Sequence, residues 1–119
     1  MRLLTLLKSK IHAATVTEAN VDYVGSIAVD RDLTDRVGIV PGELVHVWDL
    51  DNGKRFDTYV IEAPAASGII SVNGAAARRV AVGHRVIIAA FALTDEPETP
   101  RIILVDAENR FAAELGVTE

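Results

Sequence analysis

Hydrophobic and polar positions alternate in short runs along this chain, and almost nowhere do they repeat at helical spacing. Residues 2–8 (RLLTLLK) and 12–18 (HAATVTE) predict two short strands joined by a tight region at Ser9-Lys10. Gly25 and Ser26 open a third strand that runs through Val29. Asp30 to Val37 predicts a short helix, with Asp30 or Asp32 as N-cap and Gly38 as its stop. Pro41-Gly42 turns the chain into strand 43–50, where Val45 and Val47 point one way and Leu44, His46 and Trp48 the other. Asp51-Asn52-Gly53 is a hairpin signal, because Asn-Gly tolerates positive φ, and strand 54–62 returns antiparallel.

Beyond a turn over Pro64 to Gly68, strand 69–73 (IISVN) leads through Gly74 into a short Ala-rich helix, Ala75 to Arg79. Strand 84–93 (HRVIIAAFAL) is so apolar that both of its faces must be covered. Residues 94–100 predict a solvated loop, 101–106 a last strand, and 107–119 a polar tail that frays or ends in a weak helix. The unit 35–47 recurs at 77–88, aligning Gly42 with Gly83, Val45 with Val86 and Val47 with Ile88. Two copies of a strand, helix, turn and strand suggest a barrel with a pseudo-twofold axis, and closure would remove exposed strand edges. The fold class expected is all-β with short helices, in a single domain over 1–119.

Composition narrows the chemistry. Half of the residues are hydrophobic but only three Phe, two Tyr and one Trp are present, so Val, Ile, Leu and Ala must build the interior. A net charge of −5 offers no basic face for phosphates, which excludes nucleic acid as the expected partner. The apolar run Val86 to Leu93 is eight residues, against roughly 20 for a membrane-spanning helix. Lys8 and Lys10 interrupt the N-terminal Leu-rich stretch before a signal-peptide core can form, so the expected location is cytoplasmic. No cysteine is present, and His12, His46 and His84 have neither HxH nor HExxH spacing, so no metal site is expected.

Gly25-Ser26 lies between two β-branched segments, YV and IAV. Taken alone, Gly-Ser marks a turn or bulge. If the fold strains the linkage, Ser26 Oγ can attack the Gly25 carbonyl through a five-membered ring and turn the amide into an ester. Loss of the Ser26 Cα proton would then release Gly25 as a carboxylate, and hydrolysis of the dehydroalanine would leave a pyruvoyl ketone on residue 26. Such a ketone needs an amine substrate, a cation for its carboxylate, a proton donor and neutral donors around a carbonyl oxygen. Arg55 and Lys10 are candidate cations, although either can equally be a solvated surface charge. Tyr59, four residues from Arg55 on the same strand face, is a candidate proton donor, with Thr58 on the opposite face. Asn73, Gly74, Ala75 and Ala76 offer backbone N–H groups where a strand runs into a helix. The histidines have no assigned role.

KSKIH at 8–12, YVGS at 23–26, DNGKRFDTY at 51–59 and IISVNGAAA at 69–77 together make nearly the whole chain resemble the pyruvoyl-dependent aspartate 1-decarboxylases of pantothenate biosynthesis. The resemblance implies a double-psi β-barrel, a homotetramer with active sites between subunits, and self-cleavage into 1–25 and 26–119. It further implies that Ser26 becomes the pyruvoyl and Schiff-base centre, that Tyr59 donates the proton and that Thr58 contacts substrate and polarises the Gly25 carbonyl. By the same resemblance Gly74, Ala75 and Ala76 bind substrate, Asn73 orients it, and Arg55 and Lys10 hold carboxylates. The implied reaction takes L-aspartate to β-alanine and carbon dioxide. Departures fall at Asn20 and His84, where Asp is common, and in a short 94–100 loop. Two rival readings stand beside this one: an uncut barrel serving as a binding module, and a pyruvoyl enzyme acting on another acid such as glutamate. Whether maturation needs an accessory protein is left open.

Overall fold

The first and last staves of the barrel are consecutive pieces of one stretch of chain, and that is how it closes. A computed structural model describes residues 1–116. The nine strands among the described residues are β1 (Leu4–Thr15), β2 (Glu18–Asn20), β3 (Ser26–Asp30), β4 (Leu44–Asp49), β5 (Arg55–Ala63), β6 (Ile70–Asn73), β7 (Arg85–Thr94), β8 (Arg101–Val105) and β9 (Phe111–Glu114). The order across the sheet is β2-β6-β3-β5-β4-β7-β1-β8-β9. Between β1 and β2 the backbone stays hydrogen bonded: Val16 N–H donates to His84 O and Thr17 N–H to Ile70 O. The stretch from Leu4 to Asn20 therefore closes the sheet, and β8 and β9 extend from the outside of β1. Closure leaves no free edge among the six barrel staves.

A pseudo-twofold axis runs through this barrel. It exchanges β3 with β6 and β4 with β7, which pair with each other antiparallel, and it exchanges the β1/β2 stretch with β5. The parallel pairs β2 with β6 and β3 with β5 are matched, as are the antiparallel pairs β1 with β7 and β4 with β5. Val47 opposes Ile88, the two positions that the internal repeat aligns. The fold is a double-psi β-barrel. Its core consists of fully buried aliphatic side chains, Ile11, Ile27, Val29, Val45, Val47, Val60, Ile70, Val72 and Ile88 among them. These are the inward, alternate residues of each barrel strand, as the period of two requires.

Local chemistry sets the ends of the elements. Helix α1 (Arg31–Val37) is capped by Asp30, whose Oδ1 accepts from Asp32 N–H at 2.9 Å, and it stops at Gly38 with φ 77°. The same buried Asp30 accepts from Ala66 and Gly68 N–H, which ties the turn after β5 to the start of α1. Asp49 accepts from the Asp51 and Asn52 N–H groups of the hairpin and pairs with His84 Nδ1 at 2.7 Å. An aspartate at 84 would instead face the buried Asp49 carboxylate with like charge.

Three expectations change. Ser9-Lys10 is no turn: β1 runs through it with register shifts between Leu7 and Ser9 and between Ile11 and Ala14. A bulge interrupts alternation just as a turn does, and buried Ser9 donates to Val37 O, which holds the kinked strand against α1. The short Ala-rich helix is of the 3-10 kind and begins one residue earlier than expected, spanning Gly74–Arg79. Within the tail, Phe111–Glu114 is a strand, because Phe111 packs on the core and β8 offers an unpaired edge; 117–119 lie outside the described residues.

Candidate active site

Ile27 and Val29 fill the barrel, so period-two alternation turns Ser26 to the outer face of β3, where it is nevertheless only 1% exposed. Ser26 stands opposite Asn73 in the β3/β6 ladder, and the Asn73 side-chain amide lies 3.1 Å from Ser26 Oγ. Asn73 occupies the N-cap position of the 3-10 helix yet makes no capping bond with its side chain, which is committed to Ser26 instead. Behind Asn73, Ser71 Oγ lies 3.3 Å from the other end of the amide and 3.0 Å from Glu18 Oε1.

Gly74 has φ 72°, and a Cβ there would stand 2.7 Å from Gly25 Cα and 3.3 Å from Tyr23 O. The backbone of 23–25 thus lies directly on Gly74. Gly25 itself keeps a φ outside the left-handed region, and a Cβ on it would meet nothing nearer than Asn73 O at 4.0 Å. The position whose conformation requires glycine is the partner of the Gly25-Ser26 bond rather than the bond. Ala75 is exposed and Ala76 half-buried beyond it.

Tyr59 comes to the same corner. Ile27 pairs with Val60 in the parallel β3/β5 ladder, so Ser26 and Tyr59 each precede the first paired position and share the outer face. Tyr59 is 42% exposed beside Leu44, which is 58% exposed. Thr58 is half-buried and pairs with inward-facing Val45, so it points away from Tyr59.

Arg55 and Lys10 belong to a different region of the surface. Arg55 is four residues from Tyr59, about 13 Å along a strand, and its guanidinium lies over the Trp48 ring at 4.7 Å. Lys10 pairs with Ala89 on β7, two strands further round than β4. His12 joins it, its pKa held below the ordinary 6.5 by burial first and by the charges of Lys10 and Arg85 second. Among the described residues neither Lys10 nor Arg55 is in a salt bridge. One chain therefore holds a polar corner of Ser26, Asn73, Gly74 and Tyr59, while Lys10 and His12 on β1 and the stacked Trp48 and Arg55 on β4 and β5 lie elsewhere on the sheet.

A family model described as aspartate decarboxylase matches residues 2–112. The chain belongs to the aspartate decarboxylase family. Among the curated members it resembles, aspartate 1-decarboxylase of Carboxydothermus hydrogenoformans is 52% identical over 90% of this chain and 87% of its own. The enzyme of the same name from Albidiferax ferrireducens is 52% identical over 89% and 82% respectively. That of Polaromonas naphthalenivorans is 51% identical over 92% and 90%. A solved structure of a rationally designed protein, 20% identical, overlays 65% of this chain and 90% of its own with a TM-score of 0.49.

Four residues that the fold places beside the candidate site residues go unnoticed when the sequence is read alone: Ser71 and Glu18 behind Asn73, Trp48 under Arg55, and His12 near Lys10. Glu18 and Ser71 are 53 positions apart and meet only through the β2/β6 register.

Proposed function

We propose that this chain cuts itself between Gly25 and Ser26, leaving 1–25 and 26–119 as two pieces of one domain, and then decarboxylates L-aspartate at its α-carboxylate to give β-alanine and carbon dioxide. The observation that carries the reading is Ser26: a serine hydroxyl one residue from a glycine carbonyl, buried, with an amide side chain 3.1 Å away. In the cut, Ser26 Oγ adds to the Gly25 carbonyl carbon and the C–N bond breaks, leaving an ester and a free amine. Loss of the Ser26 Cα proton expels the Gly25 carboxylate, and water replaces the nitrogen, which leaves as ammonia. Thr58, two residues before Val60, the partner of Ile27, is the residue to polarise that carbonyl.

The corner fits a pyruvoyl group at 26, since Asn73 supplies a neutral donor and Gly74 lets the backbone approach. That ketone supplies an electrophile for the substrate amine and a sink for the electrons that decarboxylation releases. Around it Tyr59 holds a phenolic proton for the α-carbon, Gly74, Ala75 and Ala76 line the substrate, and Asn73 orients it. Lys10 and Arg55 neutralise carboxylates. Because those two cations sit apart from Ser26 on one chain, a complete site takes them from a second copy, in keeping with a homotetramer. Exposed Leu44, Tyr59 and Leu93 give such copies apolar surface to cover. The protein acts in the cytoplasm.

Intact mass measurement of purified protein tests the cut: two pieces and a borohydride-reducible ketone are expected, and Ser26→Ala should stay whole. Persistence of one full-length species after prolonged warm incubation overturns self-cleavage by the chain alone. Release of carbon dioxide from glutamate but not aspartate overturns the substrate.

A further inference from the structure

The hydrogen bonds behind Ser26 contain one more demand than there are protons. Ser71 Oγ lies within bonding distance of two oxygens, Glu18 Oε1 at 3.0 Å and Asn73 Oδ1 at 3.3 Å, when the Asn73 amide turns its nitrogen to Ser26. A hydroxyl has one proton, an ionised carboxylate has none, and an amide oxygen has none. That arrangement is complete only if Glu18 is protonated and donates to Ser71, Ser71 donates to Asn73 Oδ1, and Asn73 Nδ2 donates to Ser26 Oγ. With Glu18 ionised, the Ser71 proton goes to the carboxylate, which is the stronger acceptor. Ser71 Oγ then presents only lone pairs to Asn73, and the amide satisfies them by turning end over end. Its N–H faces Ser71 and its oxygen faces Ser26. The two ends of an amide are distinguished by their partners alone.

We propose that Glu18 and Ser71 are positioning residues for the chemistry at Ser26, with the charge on Glu18 deciding which end of the Asn73 amide faces the serine hydroxyl. This rests on the reading of Gly25-Ser26 as the bond that is cut. An ionised Glu18 makes Ser26 a donor to Asn73 Oδ1, which directs its proton away from the Gly25 carbonyl and leaves its lone pairs for attack. A neutral Glu18 makes Ser26 Oγ an acceptor and occupies a lone pair. The register builds this chain of contacts, because β2 pairs with β6 so that Glu18 opposes Ser71. Ser26, Ser71 and Asn73 are 1%, 6% and 4% exposed, and only Ser71 and Asn73 border the cavity that also reaches Glu18, so the bonds among the three side chains decide how the amide turns. Glu18 itself borders a surface cavity of about 310 Å³ that gives water access to it. The other titratable groups lining that cavity are Tyr23 and Glu62, and no Lys, Arg or His lines it among the described residues.

Two measurements test the relay. The cleavage rate of the wild-type chain, followed by intact mass, should fall about tenfold on acidification, the size of one hydrogen bond exchanged at the nucleophile. Glu18→Gln and Ser71→Ala should each flatten that dependence, and retention of the wild-type profile in both overturns the proposal. In Ser26→Ala, which cannot cleave, the side-chain amide resonances of Asn73 should move on the same acidification and cease to move when Glu18→Gln is added. Resonances that respond equally with and without Glu18 overturn the relay whether or not the wild-type chain cuts itself. A wild-type chain that never cleaves while its amide follows Glu18 would instead sink the self-cleavage reading and leave the relay standing.

Discussion

Gly74 and Gly25 touch backbone to backbone, and the two glycines are not equivalent. Gly74 adopts φ 72° and has no room for a Cβ, whereas Gly25 has both an ordinary φ and space. Gly74→Ala should therefore lose about 2 kcal/mol from the left-handed conformation alone, and displace 23–25 so that cleavage slows at least roughly tenfold. Gly25→Ala should fold within about 0.5 kcal/mol of the parent. Thermal unfolding of both variants checks the contrast, which equal destabilisation would refute.

Tyr59 separates maturation from turnover. Its phenol is half-exposed and makes no contact that holds Ser26, so Tyr59→Phe should be cut at the parent rate. Loss of a positioned proton donor costs about 10²- to 10⁴-fold, and turnover of aspartate by the cut protein should fall in that range. Parent-like turnover would remove Tyr59 from the role.

Asp49 makes three bonds to two other pieces of chain, the hairpin turn and the residues before β7. Its carboxylate is fully buried and accepts from Asp51 and Asn52 while pairing with His84. At about 1 kcal/mol for each bond lost, Asp49→Ala should cost about 3 kcal/mol and lower the melting midpoint by about 10 °C. His84→Ala removes a single partner and should cost about a third of that. Denaturant titration of the two variants gives the ratio.

His12 gives the fold an acid-side slope. Its folded pKa is depressed below 6.5, so between 6.5 and the folded value the unfolded chain binds a proton that the folded chain refuses. Stability is then complete above 6.5, declines as pH falls through that window, and levels off below it. His12→Gln should show a shallower decline in urea midpoints measured from about pH 8 to about pH 5. An unchanged slope would assign the acid sensitivity to other groups.

Short-range chemistry was readable because it is written in adjacent residues. The Asp30 cap, the Gly38 stop and the Asn52-Gly53 turn each depend on positions within a few residues. The pseudo-twofold was readable too, since a duplicated unit leaves Val45 and Val47 echoed by Val86 and Ile88. Ser9 was misread because a bulge and a turn break alternation alike, and only the partner strand tells them apart. The site was legible as a list of residue types and not as an arrangement. Nothing local in the sequence says that Glu18 reaches Ser71 across the barrel seam, or that Lys10 and Arg55 stand away from Ser26 on the same chain.

The seam has a consequence for what the cut leaves behind. Residues 4–20 are gripped on one side by β7 and on the other by β6, so breaking the chain after Gly25 would free no piece. A severed N-terminal segment would stay as a stave, and the molecule would persist as a two-piece body. Once denatured, however, the pieces part, and regaining the barrel becomes an encounter between two molecules. Refolding of cut protein should therefore slow on dilution while refolding of uncut Ser26→Ala does not, so that a single broken bond turns an intramolecular folding problem into one governed by concentration.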